Sequence, residues 1–378
     1  MKAFFYVQHL LGIGHLKRAA TLARALAEDG FEVTLASGGP RVAEIDLQKV
    51  KLVQLPPASA ADMTFKVLLD ESGLPVNHAW KARRRETLLE AWRGAAADVL
   101  LIELFPFGRR QMRFELLPLL EAARAGTRPP LVVSSVRDLI GAGQGDARRQ
   151  DEMLEAAERF FDRILVHGDP KLVGFERSFT HAARLGTRLH YTGYVVDGFS
   201  TQSSALGANE VLVSAGGGAV GQRLLETAIR ARAETSLRDR AWRVLAGVNA
   251  RAADLEALRK LAGAGVIVER SRQDFTLRLA NCVLSVSQAG YNTVMEALSA
   301  RARAVVVPFA GGGETEQALR ARLLAERGLL EVVEESTLGP ASLAAAIERA
   351  ARRPRPAAGA IDLGGAAASA RLLRAWLQ

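Results

Sequence analysis

Residues 2–37, KAFFYVQHLLGIGHLKRAATLARALAEDGFEVTLAS, decide the fold. KAFFYV is apolar throughout, as a strand covered on both faces of a parallel sheet is. QHLLGIGH reads as a glycine-bearing turn. LKRAATLARALAEDG reads as a helix, because Leu16, Ala19, Ala20, Ala23, Leu26 and Ala27 recur at three-four spacing and Gly30 ends the run. FEVTLAS is the next strand. A strand, a short turn, a helix and a second strand form one βαβ unit, whose two strands run parallel.

Outward from this unit the same alternation continues at ADVLLIE (97–103), PPLVVSSV (129–136) and DRILVHG (162–168). Pro56, Pro57, Gly73 and Pro75 interrupt it, so an irregular or mixed stretch is expected between about 54 and 80. A second series opens near residue 210. EVLVSAGGGAVG is a strand with a glycine-rich turn, QRLLETAIRAR a helix, and WRVLAG, GVIVER, CVLSVS and AVVVPF are further short strands. The turn-rich RLHYTGYVVDGFSTQSSALGANE lies between the two series. The expected fold is α/β, with two facing Rossmann-like domains of doubly wound parallel sheet, 1–197 and 198–365. The helix at 366–378 has a destination the sequence leaves open, a return to the first domain being one. Such sheets bind ligands at the carboxyl ends of their strands.

Composition narrows the function classes. The 50 Lys and Arg against 41 Asp and Glu give a formal charge of +9. The excess is divided almost evenly, 27 against 23 in residues 1–195 and 23 against 18 in the remainder. No basic arm with interleaved aromatics stands out, so a nucleic-acid partner is not expected. An Arg-rich solvated surface is the plain reading, and attraction to anionic lipid or a phosphorylated acceptor is the alternative. Arg83–Arg85 and Arg109, Arg110 and Arg113 offer charge for either. Cys282 is the single cysteine, which suits a reducing cytoplasm and leaves no disulfide framework. The apolar start is broken by Gly12 and Gly14 and reads as strand and loop, not a signal peptide. No apolar run approaches the roughly 18 residues of a membrane span.

Three loops carry chemistry. GIGHLKR places Gly12, Gly14 and His15 at a helix start, where backbone can approach a ligand and a histidine can take a proton from a hydroxyl. A cap or a satisfied structural contact is the alternative role for His15. SAGGGAVG sets Ser214, Gly216, Gly217 and Gly218 between strand and helix, and consecutive glycines expose N–H groups to phosphate oxygens. It lacks the Lys and Ser/Thr of a P-loop and the spacing of a dinucleotide fingerprint. SQAGYNTVMEAL (287–298) groups Gln288, Gly290, Tyr291, Asn292, Thr293 and Glu296 at another helix start. Thr293 and Glu296 have capping-box spacing. The remaining polar groups suit a diphosphate at the helix N-terminus, with Glu296 accepting from a ribose diol. In PFAGGGETEQALRAR, Glu316 and Gln317 are either first-turn residues that complement the helix dipole or contacts to hydroxyls of a donor sugar. Arg270 ends the strand GVIVER and is a further donor-side candidate. Glu103 ends VLLIE and is the alternative base. No Asp-x-Asp motif or His/Cys cluster suggests a metal site, and no cofactor is expected beyond the substrate itself.

The order of these motifs resembles GT-B glycosyltransferases, most nearly the family 28 set that contains the peptidoglycan lipid-linked N-acetylglucosaminyltransferase. QAGYNTVME is similar in spacing to the donor signature H-C-G-W-N-S-x-x-E of plant UDP-glycosyltransferases. Its histidine falls on Gln288, its glycine on Gly290, its tryptophan on Tyr291, its asparagine on Asn292, its serine on Thr293 and its glutamate on Glu296. The Asp/Gln pair that ends that signature falls on Glu316 and Gln317, after a loop a few residues longer than the family's. GIGHLKR looks like the family's G-x-G-H loop, and ELFPFGRRQMRFELLPLL and SSVRDL look like segments of a predicted branch of these transferases. The resemblance implies a UDP-sugar donor (dTDP being the alternative), inversion at the anomeric carbon, no obligatory metal, and His15 activating an acceptor hydroxyl, with Glu103 the alternative base by its place at a strand end. The acceptor is expected to be lipid-linked or phosphorylated, with the protein in the cytoplasm or peripheral to the inner membrane face. Rival expectations are a UDP-sugar hydrolase or epimerase on the same scaffold, since GIGHLKRAATLARAL also resembles the hydrolase of pseudaminic acid synthesis, and a non-catalytic nucleotide-sugar-binding subunit.

Overall fold

The computed structural model describes residues 1–43, 45–62, 65–141, 145–198, 205–215, 221–247, 250–272, 274–311 and 315–378. The chain divides into two units. Unit 1 is Met1–Val195 with Ile361–Gln378, and unit 2 is Val196–Ala360.

Unit 1 contains β1 (Lys2–Val7), α1 (Gly14–Glu28), β2 (Glu32–Ser37), β3 (Lys51–Gln54), β4 (Ser59–Ala60), β5 (Leu68–Leu69), α2 (His78–Ala95), β6 (Val99–Glu103), α3 (Arg113–Arg124), β7 (Leu131–Arg137), α4 (Ala147–Phe160), β8 (Arg163–His167), α5 (Ala182–Leu185) and β9 (Leu189–Tyr191). Seven strands pair in the order β3-β2-β1-β6-β7-β8-β9, and every pairing is parallel. The stretch expected to be irregular holds the small antiparallel pair β4–β5.

β1 shows why its sequence is apolar without interruption. Ala3, Phe5 and Val7 enter one core with Leu16, Ala19, Leu22, Ala23 and Leu26 of α1. Phe4 and Tyr6 enter another with Leu88 of α2 and Leu116 and Leu120 of α3. Both faces of the sheet are therefore covered, and alternate residues have no solvent side to face. α1 ends just before Gly30, whose φ of +90° turns the chain into β2.

Unit 2 contains β10 (Glu210–Ser214), α6 (Gln222–Ala231), β11 (Ala241–Ala246), α7 (Ala252–Leu261), β12 (Val266–Arg270), α8 (Phe275–Asn281), β13 (Leu284–Gln288), α9 (Tyr291–Ser299), β14 (Ala304–Val307), α10 (Glu316–Glu326), β15 (Glu331–Val332) and α11 (Pro340–Arg352). Its six strands run parallel in the order β12-β11-β10-β13-β14-β15. Val211, Val213, Trp242, Val244, Leu284 and Val286 form a core with Leu224, Leu225, Leu258 and Leu343 of the helices. In each unit the strand order reverses once, between β1 and β6 and between β10 and β13. At such a reversal the connections leave in opposite directions, and a crevice opens beyond the carboxyl ends.

The final helix, α12 (Gly365–Leu377), belongs to unit 1. Ala370 and Leu373 enter the α1 core, and the Arg374 Nε donates to the Asp29 carboxylate at 2.7 Å. Its start lies against the backbone of Gly193 and Tyr194. A Cβ on Gly365 would fall 2.3 Å from the Gly193 carbonyl oxygen, so this approach requires glycine.

Candidate active site

The reversal point of unit 1 brings together residues far apart in sequence. β1 leads through Gln8–Ile13 to α1, whose second residue is His15; β6 ends at Glu103. The His15 Nδ1 lies 3.0 Å from Glu103 Oε1, and the Arg18 guanidinium, one turn further along α1, donates to the same oxygen. Ser135, on β7, donates to Glu103 Oε2 at 2.7 Å. The carboxylate is fully buried, whereas the His15 side chain is 16% exposed.

Electrostatics fix the protonation states. Burial by itself would raise the Glu103 carboxyl, but the Arg18 charge and the hydrogen bonds from His15 and Ser135 overcome it and hold the group well below the usual carboxylate range. His15 is held well below an ordinary imidazole by burial and by the charges of Arg109, Arg18 and Arg137, against the pull of Glu103. The ring is therefore neutral near pH 7. Nδ1 faces Glu103 Oε1 at 3.0 Å and Arg18 Nη2 at 3.1 Å; the guanidinium already donates to Oε1, and an ionised carboxylate only accepts, so Nδ1 carries the ring proton toward Glu103 and Nε2 carries the lone pair. This is the arrangement a general base needs.

Arginines gather at the same sheet end. Arg109, held at φ +59°, donates from Nε to the Gln8 carbonyl at 2.8 Å, and burial and the adjacent Arg137 push it down to about 10, so it stays charged. The other basic candidates lie elsewhere. Arg83 pairs with Glu71 at 2.5 Å, and Arg110 and Arg113 approach Glu152 at 3.4 and 3.5 Å. Arg84 overturns the plain surface reading of its run. It is fully buried, donates to both Glu115 oxygens at 2.7 and 2.9 Å, to the Gly38 carbonyl at 2.7 Å and to Gln8 Oε1 at 2.5 Å. It thereby joins α2, α3 and the loops after β1 and β2.

In unit 2 the reversal point is flanked by Ser214, at the end of β10, and by Gln288, at the end of β13. These two strands pair in register, Ser214 opposite Ser287. Gly216, Gly217 and Gly218 lie outside the described residues. α9 begins at Tyr291 with Gly290 as its N-cap residue. Thr293 therefore sits in the first turn rather than at the cap, and the capping box suggested by its spacing to Glu296 does not form. Asn292, Thr293 and Glu296 are each partly exposed on α9, and Tyr291 is buried. Arg320 of α10, fully buried, covers the Tyr291 ring at 5.2 Å and lies 4.0 Å from the Glu316 carboxylate. Glu316 is only 3% exposed, which sets it against α10's own arginine rather than in solvent. Gln317 Oε1 accepts from the Phe309 N–H at 3.2 Å. Arg270 ends the edge strand β12, two strands from the reversal, and donates to the Ala250 carbonyl at 2.8 Å. Among the described residues no group of three or more His, Cys, Asp and Glu is placed to hold a metal ion, and no helix is long and apolar enough to cross a membrane.

Sequence patterning missed Arg18, which stands one turn beyond His15 on α1, and Ser135, which strand order brings beside Glu103.

Residues 213–362 match the family described as the glycosyltransferase family 28 C-terminal domain. A curated relative, the UDP-N-acetylglucosamine--N-acetylmuramyl-(pentapeptide) pyrophosphoryl-undecaprenol N-acetylglucosamine transferase of Brucella anthropi, is 35% identical over 143 residues, 37% of this chain and 38% of that protein. The match thus spans well under half of the relative's length. The MurG of Acinetobacter baumannii is 16% identical with a TM-score of 0.58, over 99% of this chain and 100% of that one. Os79 of O. sativa, solved in complex with UDP, is 15% identical with a TM-score of 0.63, over 99% and 100%. Residues 213–362 are thus similar to the glycosyltransferase family 28 C-terminal domain, in a chain whose two α/β units have the GT-B fold.

Proposed function

We propose that the protein is an inverting glycosyltransferase that moves a sugar from a UDP-sugar to an acceptor hydroxyl without a metal ion. The observation that carries this reading is the hydrogen bond from a neutral His15 to an ionised Glu103 at the reversal point of unit 1. In the reaction the acceptor oxygen attacks the anomeric carbon, the bond from that carbon to the UDP oxygen breaks, and the acceptor proton passes to His15 Nε2. Glu103 then faces an imidazolium, which it stabilises. Glu103 itself is already bonded by Arg18, His15 and Ser135 and is a poor base; its role is to orient His15.

Unit 2 supplies the donor contacts. The α9 N-terminus, with Gly290, Asn292 and Thr293, takes the diphosphate and the negative charge that grows as UDP leaves. Glu296 accepts from the ribose diol. Gln317 contacts the donor sugar, while Glu316 holds Arg320 against Tyr291. The relative's name supports a UDP-linked donor and a lipid-linked, phosphorylated acceptor, as the UDP complex of Os79 supports the nucleotide. A cytoplasmic protein working at the inner membrane face fits that acceptor.

A thermal-shift series with UDP, dTDP, ADP and UDP-sugars, followed by UDP-release assays with and without acceptors, tests the reading. UDP should raise the melting temperature most, since a ligand bound only to the folded state stabilises it. Release should depend on an added acceptor. No shift with any nucleotide removes the donor site, and release at catalytic speed in water alone makes the protein a hydrolase.

A further inference from the structure

Behind the His15–Glu103 pair a file of buried polar groups continues through unit 1. Ser135 Oγ lies 2.7 Å from Glu103 Oε2 and 2.9 Å from His167 Nε2. His167 Nδ1 lies 2.9 Å from Thr192 Oγ1, which is also 2.9 Å from the Gly193 carbonyl. Glu103, Ser135 and His167 are fully buried and Thr192 is 2% exposed. Polar groups buried to this degree take hydrogen-bond partners, and these four find one another.

With a neutral His167, one proton arrangement sets a proton between every neighbouring pair from Glu103 to Thr192, the Thr192 hydroxyl then donating to His167 rather than to the Gly193 carbonyl. Glu103 accepts only, so the Ser135 hydroxyl donates to it. Ser135 Oγ must then accept from His167 Nε2–H, which leaves the lone pair on Nδ1. Thr192 donates to that lone pair. The reverse arrangement would set two acceptor oxygens, of Ser135 and Glu103, 2.7 Å apart with no proton between them. Burial and the Arg18 charge push His167 down to about 3, which keeps the ring neutral near pH 7.

We propose that Ser135 and His167 are positioning residues for the His15–Glu103 pair, forming with Thr192 a one-way hydrogen-bond file that holds Glu103 Oε2 and leaves Oε1 to His15 and Arg18. Every donor in the file points toward Glu103, so the tautomer of His167 reports the charge on Glu103 through Ser135. This inference rests on the proposed role of His15 for its catalytic meaning, but the file exists or fails independently of turnover.

Glu103→Gln tests it. Arg18 and His15 both donate to Oε1, so the new amide keeps its oxygen there and turns its N–H to Ser135. Ser135 must then donate to His167 Nε2, the ring proton moves to Nδ1, and Thr192 donates to the Gly193 carbonyl. Long-range proton–nitrogen correlation spectra of the full chain, with 15N-labelled histidine at pH 7, read the tautomer directly, and His167→Gln assigns the signal among the 6 histidines. The expected result is Nε2–H in the unmodified protein and Nδ1–H in Glu103→Gln. An Nδ1–H or charged His167 in the unmodified protein, or the same tautomer in both, overturns the file. The unmodified spectrum decides alone where Glu103→Gln does not fold. For the catalytic part, His167→Phe should lower kcat at least about tenfold with donor KM unchanged. His167→Gln, which keeps a donor at the Nε2 position and can still face Ser135, should restore most of it. Equal kcat in the two variants overturns the positioning role. A protein that transfers no sugar yet shows both tautomers as expected would refute the function proposed above and leave the file standing.

Discussion

His15 and Glu103 show what a histidine gains from a carboxylate at this position. The pair fixes the tautomer while burial and three arginines keep the ring uncharged. His15→Ala should therefore lower kcat by about 10²- to 10⁴-fold while UDP affinity, measured by calorimetry, stays unchanged. The acid limb of the pH–rate profile should lie well below 6.5, because the ring remains a proton acceptor throughout the neutral range; a limb near 6.5 would mean an unperturbed imidazole. Glu296→Ala should weaken UDP about tenfold. The sequence made His15 and Glu103 visible because one follows a glycine turn and the other ends an apolar strand. It did not reveal Ser135 or His167, which sit within strands whose apolar pattern hides them. Arg84 was hidden for another reason. Nothing nearby distinguishes it from Arg83 and Arg85, and only Glu115, 31 residues away, makes it a buried group.

Elements were legible where period and punctuation agree. β1, α1 and β2 follow from alternating burial on two faces, three-four spacing and Gly30. The start of α9 was less legible, since Thr293 and Glu296 imitate a cap that the chain does not use. Gly290, one residue before the helix, is extended, with φ −61° and ψ 144°, and a Cβ there meets nothing within 4 Å. Gly290→Ala should accordingly fold with an unchanged melting temperature, yet bind UDP about tenfold more weakly if a diphosphate approaches this backbone. Equal affinity would place the diphosphate elsewhere. Arg84→Met acts on elements in the opposite way, removing the tie among α2, α3 and the loop after β1 and stranding the Glu115 charge. It should destabilise unit 1 by about 3–5 kcal/mol in urea unfolding.

Over the whole molecule, buried histidines give stability a definite pH dependence. Burial pushes His9 down to about 4 and His167 to about 3. Below about 6.5 the unfolded chain binds protons that these folded rings refuse, so stability falls with pH, by about 2 kcal/mol for each ring at pH 5. Glu103 acts in the same direction but at lower pH: its depressed carboxyl contributes stability above the ordinary carboxylate range and loses it only under stronger acid, so the loss at pH 5 comes from the rings. The unfolding temperature of unit 1 should drop by about 10 °C between pH 7.5 and 5, checked by scanning calorimetry, and a flat profile would mean that the two rings are charged when folded. The division into two sheets was readable from the repeated strand–turn–helix pattern, whereas the lodging of α12 depends on an approach to Gly193 and Tyr194 that no local pattern announces. That lodging makes unit 1 discontinuous, with Val196–Ala360 inserted between its two pieces. On the ribosome, α12 emerges only after all of unit 2, so the groove over α1 waits uncovered through the synthesis of an entire neighbouring domain. Nascent chains stalled before α12 should carry a protease-resistant unit 2 beside a still-cleavable unit 1.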